Sequence, residues 1–237
     1  MKKGLIILAF LIAGHSASAQ LFSKEKIKNN ENFDKKRWSW GFFLGFNSYD
    51  YKFEYEQNLE DILVENTLGF NVGLISNLRI NDYLDVRLEP GLYITQRNLV
   101  YSENYFQGIE FTPSDLLREV KATYIHFPLL LKVSTKRVNN FKPFIVGGVS
   151  AALNLSSNEK NPDDNSSGEF RSRKNMYFYE VGFGIDFYLQ WFKFSPSIRG
   201  VFALNDEIVR DADPNSPWTG NVTTMKTRGV FINFTFQ

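Results

Sequence analysis

The sequence predicts an all-β protein: an eight-stranded antiparallel up-and-down transmembrane β-barrel with short turns at one end and four long loops at the other. Three observations predict it. Apolar residues alternate with period two over segments that reach the ~9–11 residues a tilted strand needs to cross a bilayer. Turn-forming residues separate the segments, and the connections alternate between short and long. Charges and glycines collect in mid-strand on the face opposite the apolar one.

Composition narrows the chemistry. The chain has 237 residues, 43% hydrophobic, 16% aromatic and 22% charged, with Phe 23 and Tyr 11. Cys 0 excludes a disulfide framework, a thiolate zinc site, a Cys nucleophile and a lipidated N-terminal Cys. The formal charge is +1, which gives no reason to propose a nucleic-acid partner.

The first residues read as an address. Lys2 and Lys3 form a positive region, residues 5–13 a short apolar core, and Ala17-Ser18-Ala19 a small-residue cleavage site before Gln20. This is the pattern of a secretory signal peptide over residues 1–19. Its apolar core is shorter than the ~20 residues a spanning helix requires. No later apolar run approaches that length, so a membrane span must be made of strands. Residues 20–37, rich in Lys, Asn and Glu, read as an exposed periplasmic arm before the barrel domain of residues 38–237.

The strands follow in order. Trp38, Trp40, Phe42, Leu44 and Phe46 face one way, against Ser39, Gly41, Phe43, Gly45 and Asn47. Leu68, Phe70, Val72, Leu74, Leu78 and Ile80 repeat the pattern, and Asn81-Asp82 signals a tight turn. Leu84, Val86, Leu88, Leu92 and Ile94 oppose Asp85, Arg87, Glu89, Tyr93, Thr95 and Arg97. Ile125, Phe127, Leu129, Leu131 and Val133 form a fourth strand, with Pro128 awkwardly inside it. The fifth, near residues 143–155, has faces blurred by Gly147-Gly148 and Ala151-Ala152. Tyr177 to Phe187, Phe192 to Leu204 and Gly229 to Phe236 complete the eight. Short turns fall near Asn81, Asn139 and Gln190; long polar connections fall at residues 49–66, 98–118, 156–174 and 206–226. Residues 116–120 suit a turn of helix within a loop. An even strand number puts both barrel ends on the short-turn side, the periplasm.

Orientation decides between a membrane barrel and a soluble, lipocalin-like one. The face opposite the apolar one carries Asp85, Arg87, Glu89, His126, Lys132, Glu180, Asp186, Lys193 and Arg199. Buried charges need partners, and here the two signs nearly balance. A narrow lumen filled by an ion-pair network satisfies them, with glycines making room for long charged side chains. The apolar face then meets lipid, with Trp38, Trp40, Tyr83, Trp191, Phe192 and Phe236 as an interfacial girdle.

Little else points to chemistry. His126 with Glu180 or Asp186 and Ser195 would be drawn as a nucleophilic triad, but the spacing does not select it, and a lone inward His reads as a lumen residue. Asn161, Asp163, Asp164 and Asn165 lack the twelve-residue Ca²⁺-loop pattern. No catalytic, cofactor-binding or metal site is assigned. Lys35, Lys36 and Arg37, with Phe33 and Asp34, form the near end of a basic arm suited to a periplasmic partner or an anionic surface.

Several motifs resemble a known family. Glu31-Asn32-Phe33-Asp34-Lys35, Trp40-Gly41-Phe42 and Leu44-Gly45-Phe46-Asn47 are similar to the start of the PorT family of outer-membrane β-barrels. Residues 88–92, Ile125 to Lys132, Lys142-Pro143-Phe144 and Glu180 to Asp186 are similar to the wider PorT-like barrels. The resemblance implies an outer-membrane location and a non-enzymatic role, without cofactor, in type IX protein secretion and gliding motility. The implied partners are other outer-membrane or periplasmic secretion subunits, membrane lipid and the barrel-assembly machinery. The chain ends Phe234-Thr235-Phe236-Gln237, so an assembly signal would fall on Phe234 and Phe236 rather than on a terminal aromatic.

Overall fold

The computed structural model describes residues 28–160 and 170–237. The leader, the first part of the arm (through Ile27) and the Asn161–Asn165 group lie outside the described residues. The protein is an all-β antiparallel sheet of ten strand segments: β1 (Trp38–Tyr55), β2 (Leu63–Asn66), β3 (Gly69–Arg79), β4 (Leu84–Leu88), β5 (Gly91–Val100), β6 (Leu117–Ser134), β7 (Phe141–Asn154), β8 (Asn175–Tyr188), β9 (Lys193–Ala203) and β10 (Val222–Phe236). β1 pairs with β10 on one side and β3 on the other, so the sheet closes on itself.

Ten segments stand where eight were expected because two staves of the barrel are interrupted. β4 and β5 share both neighbours, β3 and β6, and are split at Glu89-Pro90. β2 continues the course of β3 along β5. The break at Pro90 also accounts for Pro128 inside β6. In an antiparallel strand a residue's N–H and C=O point to the same neighbour. Pro128 O accepts from Glu89 N (3.2 Å), so its missing N–H faces the interruption, where no ladder bond is lost.

The staves run further at the loop end than alternation suggested. β1 reaches Tyr55, β10 begins at Val222 and β6 at Leu117, so residues 117–120 are strand rather than a helical turn. In these extensions the outward positions are Ser48, Asp50, Lys52 and Glu54 on β1 and Thr224, Lys226 and Arg228 on β10. Beyond the apolar band both faces can be polar, so the period-two signal fades while the ladder continues.

Burial follows strand parity. Phe42, Leu44, Phe46, Leu74, Leu129, Val181, Phe183 and Ile198 are exposed on the outer wall, and Arg87, His126, Lys132, Glu180, Asp186 and Arg199 are buried inside. The inner face also holds rings that alternation had not marked as core. Phe43, Tyr49, Tyr93, Tyr124, Phe178 and Phe231 form a buried layer across the middle of the lumen. Gly73 and Gly91 lie under the Phe43 ring, which occupies the space a side chain would need at either position. Of the strand glycines, Gly182 makes room for a long charged side chain, that of Arg199, and Gly184 for the Phe144 ring. The small residues thus serve aromatic packing as well as polar side chains such as Asn47 and Asn233, beside Gly69 and Gly45.

A charge on the outer wall tests this assignment. Phe183→Arg, in the middle of the apolar band, should destabilise the barrel by about 2–4 kcal/mol, whereas Thr123→Arg, near the loop end, should cost about 0–1 kcal/mol. Urea unfolding in phosphatidylcholine vesicles measures both, and equal costs would contradict the placement of the band.

Candidate functional site: the lumen charge lattice

Parity along four staves, those of β4, β6, β8 and β9, sends the charged side chains into one enclosed space. At the turn end Asp186 on β8 pairs with Lys132 on β6, lies 3.8 Å from Lys193 on β9, and accepts from Ser195 Oγ at 2.7 Å. Lys132 also sits 4.1 Å above the Phe144 ring, and Asp85 is opposite Lys132 in the β4–β6 register. One layer deeper, Arg199 reaches Glu89 (2.9 Å) and Glu180 (3.2 Å), and Arg87 lies 3.4 Å from Glu89. All nine of the charged or titratable lumen residues read from the sequence are buried: Asp85, Arg87, Glu89, His126, Lys132, Glu180, Asp186, Lys193 and Arg199.

His126 does not form the triad drawn from the sequence. Ser195 is bonded to Asp186 instead, and the serine beside His126 is Ser150. His126 Nε2 lies 2.7 Å from Ser150 Oγ and 3.2 Å from Glu180 Oε1, so both partners share one ring nitrogen. A nucleophile–base–acid relay needs the acid on the opposite nitrogen, to hold the tautomer. His126 Nδ1 is buried without a hydrogen-bond partner among the described residues. The ring is fully buried and packed against Tyr93 (4.9 Å), Phe178 (5.5 Å) and Phe231 (6.0 Å).

A second lattice lies above the aromatic layer, and its centre was not among the predicted residues. Arg97 donates to Tyr124 Oη (3.1 Å) and Thr227 Oγ1 (3.3 Å) and lies 4.0 Å from Glu207. Tyr124 donates to Glu207 at 2.7 Å, and Thr227 also donates to that carboxylate. The Arg97 guanidinium stacks 4.0 Å from the Tyr51 ring. Arg97 continues the inward parity of Arg87 and Glu89 and was legible on that ground. Glu207 comes from the loop between β9 and β10, where no periodicity marks an inward residue.

Both ends are closed. At the loop end Tyr101 Oη donates to Trp218 O (3.1 Å), Tyr105 Oη to Glu60 O (2.7 Å), and Trp218 Nε1 to Asp115 O (3.1 Å). These bonds tie three loops over a cluster that includes Tyr51, Leu99, Phe106, Phe170 and Met225. Thr112, through its N–H and hydroxyl, holds the Asp115 carboxyl below its usual range, and Arg118 adds to the effect. At the turn end the described part of the arm, residues 28–37, is not free, since Asn29, Phe33 and Asp34 lie against the mouth. Tyr188 Oη donates to Asp34 (2.7 Å), Lys193 Nζ lies 4.5 Å from the Phe33 ring, and Asn29 N donates to Asn140 Oδ1 (2.9 Å). Lys35, Lys36 and Arg37 stay on the surface. The recess beneath Phe33 holds about 20 Å³, room for roughly one water.

The end of the chain completes the outer girdle. Phe236 stacks on Phe42 (5.2 Å) and meets Phe194 (5.3 Å), and Phe194 lies parallel to Phe234 (6.2 Å). Gln237 lies within reach of Ser39, its amide 3.4 Å from Ser39 Oγ. Phe236 is thus the last aromatic on the outer wall.

The family model described as an outer membrane protein β-barrel domain matches residues 10–209. The chain belongs to that family. The barrel wall and its apolar belt are those of an outer-membrane protein. Among solved structures, the chain is similar to the outer membrane protein OprG from Pseudomonas aeruginosa, at 16% identity and a TM-score of 0.47, over 83% of this chain and 94% of that one. It is also similar to Neisserial surface protein A, at 11% identity and 0.44, over 84% and 98%. The outer membrane protein AlkL, determined in DMPC bilayers, is similar at 13% identity and 0.43, over 91% and 92%. No curated protein matches.

The lattice makes a stability prediction. Arg199→Met leaves Glu89 and Glu180 buried without their shared cation and should cost about 3–5 kcal/mol. Adding Glu89→Gln and Glu180→Gln to Arg199→Met should recover part of that loss. Tryptophan fluorescence during chemical unfolding in vesicles reports both, and a triple variant no more stable than the single one would show that the charges do not act as one network.

Proposed function

We propose that this barrel is a non-catalytic, non-conducting outer-membrane component or assembly factor of a protein secretion system of the type IX, PorT-like kind. The observation that carries the non-conducting part is the sealed lumen. Two ion-pair lattices and an aromatic layer fill it, three loops cap one end, and Phe33 and Asp34 cover the other. An eight-stave interior has no room for a folded cargo once its side chains are packed. The barrel therefore acts by contact. The secretion assignment rests on the resemblance of the Glu31–Lys35 segment and the first strand to PorT. In this reading the chain is exported by a cleaved leader at residues 1–19, and the assembly machinery reads Phe234 and Phe236. Lys35, Lys36 and Arg37 form the exposed part of a docking surface for a periplasmic or outer-membrane secretion subunit, at the turn end that faces the periplasm.

A second reading, binding at the cell surface through the loops, is favoured by one observation. Ile109 and Phe111 are exposed at 49% and 37% on the long loop between β5 and β6, although Phe106 beside them is buried in the cap.

Tagged protein purified in detergent from outer membranes should bring other secretion subunits with it, and a deletion strain should lose export. Lys35→Glu/Lys36→Glu/Arg37→Glu should weaken that co-purification at least tenfold while the barrel still inserts. In planar bilayers the purified protein should pass no stepwise current. Recovery of the barrel alone with secretion intact in the deletion strain defeats the secretion reading; if replacing residues 107–113 by a Gly-Ser linker then abolishes surface attachment, the second reading stands instead.

A further inference from the structure

The outer wall carries a feature that neither the lumen nor the ends explain. Above Asn47, β1 bonds only to β10, while β2 bonds to β5, so the wall has a seam between β1 and β2 at the loop end. Beside that seam lies an amphipathic recess of about 230 Å³. One register row gives it Gly200, Val230 and Ser48, and the next row toward the loop end gives Phe202, Arg228 and Asp50, with Asn66 across the seam. Gly200 also lines an apolar furrow of about 650 Å³ that crosses the lipid-facing wall from β9 to β6 past Val181, Gly147, Ile145 and Val133.

Register explains the furrow. Gly147 pairs with Val181, Val181 with Gly200, and Gly200 with Val230, all on the outer face. Two outward positions in one row therefore lack side chains, and the neighbouring side chains become walls. The stacked rings of Tyr179 and Phe202 (5.0 Å) stand at its upper edge. A Cβ at Gly147 would meet nothing nearer than Glu180 O at 3.5 Å, so the space lies open toward the membrane.

The rim above the recess is cationic in an unusual way. Lys52 and Lys226 are directly opposite each other across the β1–β10 ladder, on the outer face. Like charges so placed repel. The next row toward the membrane is Asp50 opposite Arg228, 2.6 Å apart. Glu54 lies 3.7 Å from Lys52 and accepts from Thr224 (3.0 Å). The rim thus holds three cations against the carboxylates of Asp50 and Glu54, and Lys226 makes no ion pair among the described residues. An anion seated between Lys52, Lys226 and Arg228 would remove the repulsion and gain charge-assisted hydrogen bonds.

We propose that the recess and furrow together bind one phosphorylated glycolipid of the outer leaflet, of the lipid A type, with a phosphate at Lys52, Lys226 and Arg228 and an acyl chain in the furrow. The position selects this occupant. The cations sit where the outward side chains change from apolar to charged, the level of headgroups, and at the loop end, the end that faces outside the cell. The apolar furrow begins one register row from Arg228 and lies within the lipid-facing belt. The site stands apart from the secretion reading and uses neither the lumen nor the N-terminal segment.

The full-length protein in a non-ionic detergent would be titrated with diphosphoryl lipid A, dephosphorylated lipid A, phosphatidylglycerol and inorganic phosphate, and the bound species counted by native mass spectrometry. One diphosphoryl lipid A should be retained at least tenfold more strongly than phosphatidylglycerol or the dephosphorylated form, and inorganic phosphate should not displace it. Lys226→Gln/Arg228→Gln should lose at least tenfold in affinity. Gly147→Leu, which adds bulk into open space and should fold normally, should also lose affinity, whereas Lys121→Gln on the opposite wall should not. Heat-dependent gel mobility checks that each variant is folded. Binding of all lipids alike, unchanged binding in folded Lys226→Gln/Arg228→Gln, or displacement by inorganic phosphate overturns the proposal.

Discussion

The constraint on which the structure depends is that a wall of strands in hydrocarbon cannot leave an edge. Each unpaired backbone group there costs several kcal/mol, since no water is available to satisfy it. β1 therefore meets β10 over most of its length, from Phe42–Phe236 to Tyr55–Val222. Closure fixes the parity of every other stave, because a slip of one residue would turn an entire apolar set into the lumen. Where the wall is relaxed, it is relaxed at places that tolerate it: at Pro90 facing Pro128, and at the β1–β2 seam toward the loop end.

Closure also creates a sealed volume that must be filled from the inner face alone. The solution is layered. A cation–carboxylate lattice at the turn end and mid-lumen is followed by aromatic rings and then by a second lattice around Arg97 and Glu207. The Lys132–Asp186, Arg199–Glu89 and His126–Glu180 pairs join staves that are not neighbours, so they tie together parts of the wall that the backbone ladder does not. Such pairs stabilise little relative to apolar packing, but they punish any arrangement that leaves a partner behind. They act on register and specificity more than on gross stability.

In the proposed reading, a filled and capped barrel acts through its ends and its outer wall. The turn end is partly engaged by its own N-terminal segment, so Phe33 and Asp34 contribute to closing the mouth while the basic residues after them remain on the surface. The loop end is ordered by aromatic side chains that hydrogen-bond to backbone carbonyls of neighbouring loops. The outer wall is not uniform, since two outward glycines in one register row cut a furrow into an otherwise smooth apolar belt.

The sequence by itself determined the class of the wall and which side chains face which way. Period-two alternation is a local property of a strand, and nine inward titratable residues from Asp85 to Arg199 could be read from it without knowing any partner. It did not determine who pairs with whom. That Ser150 rather than Ser195 meets His126, that Gly73 and Gly91 serve Phe43, and that a loop carboxylate, Glu207, completes the upper lattice all depend on the register between staves. The strand ends beyond the lipid were also illegible, because there the solvent accepts polar groups on both faces and the pattern loses its cause. Tertiary structure decided these matters because contact across a lumen is set by barrel closure and shear, and no stretch of sequence encodes those alone.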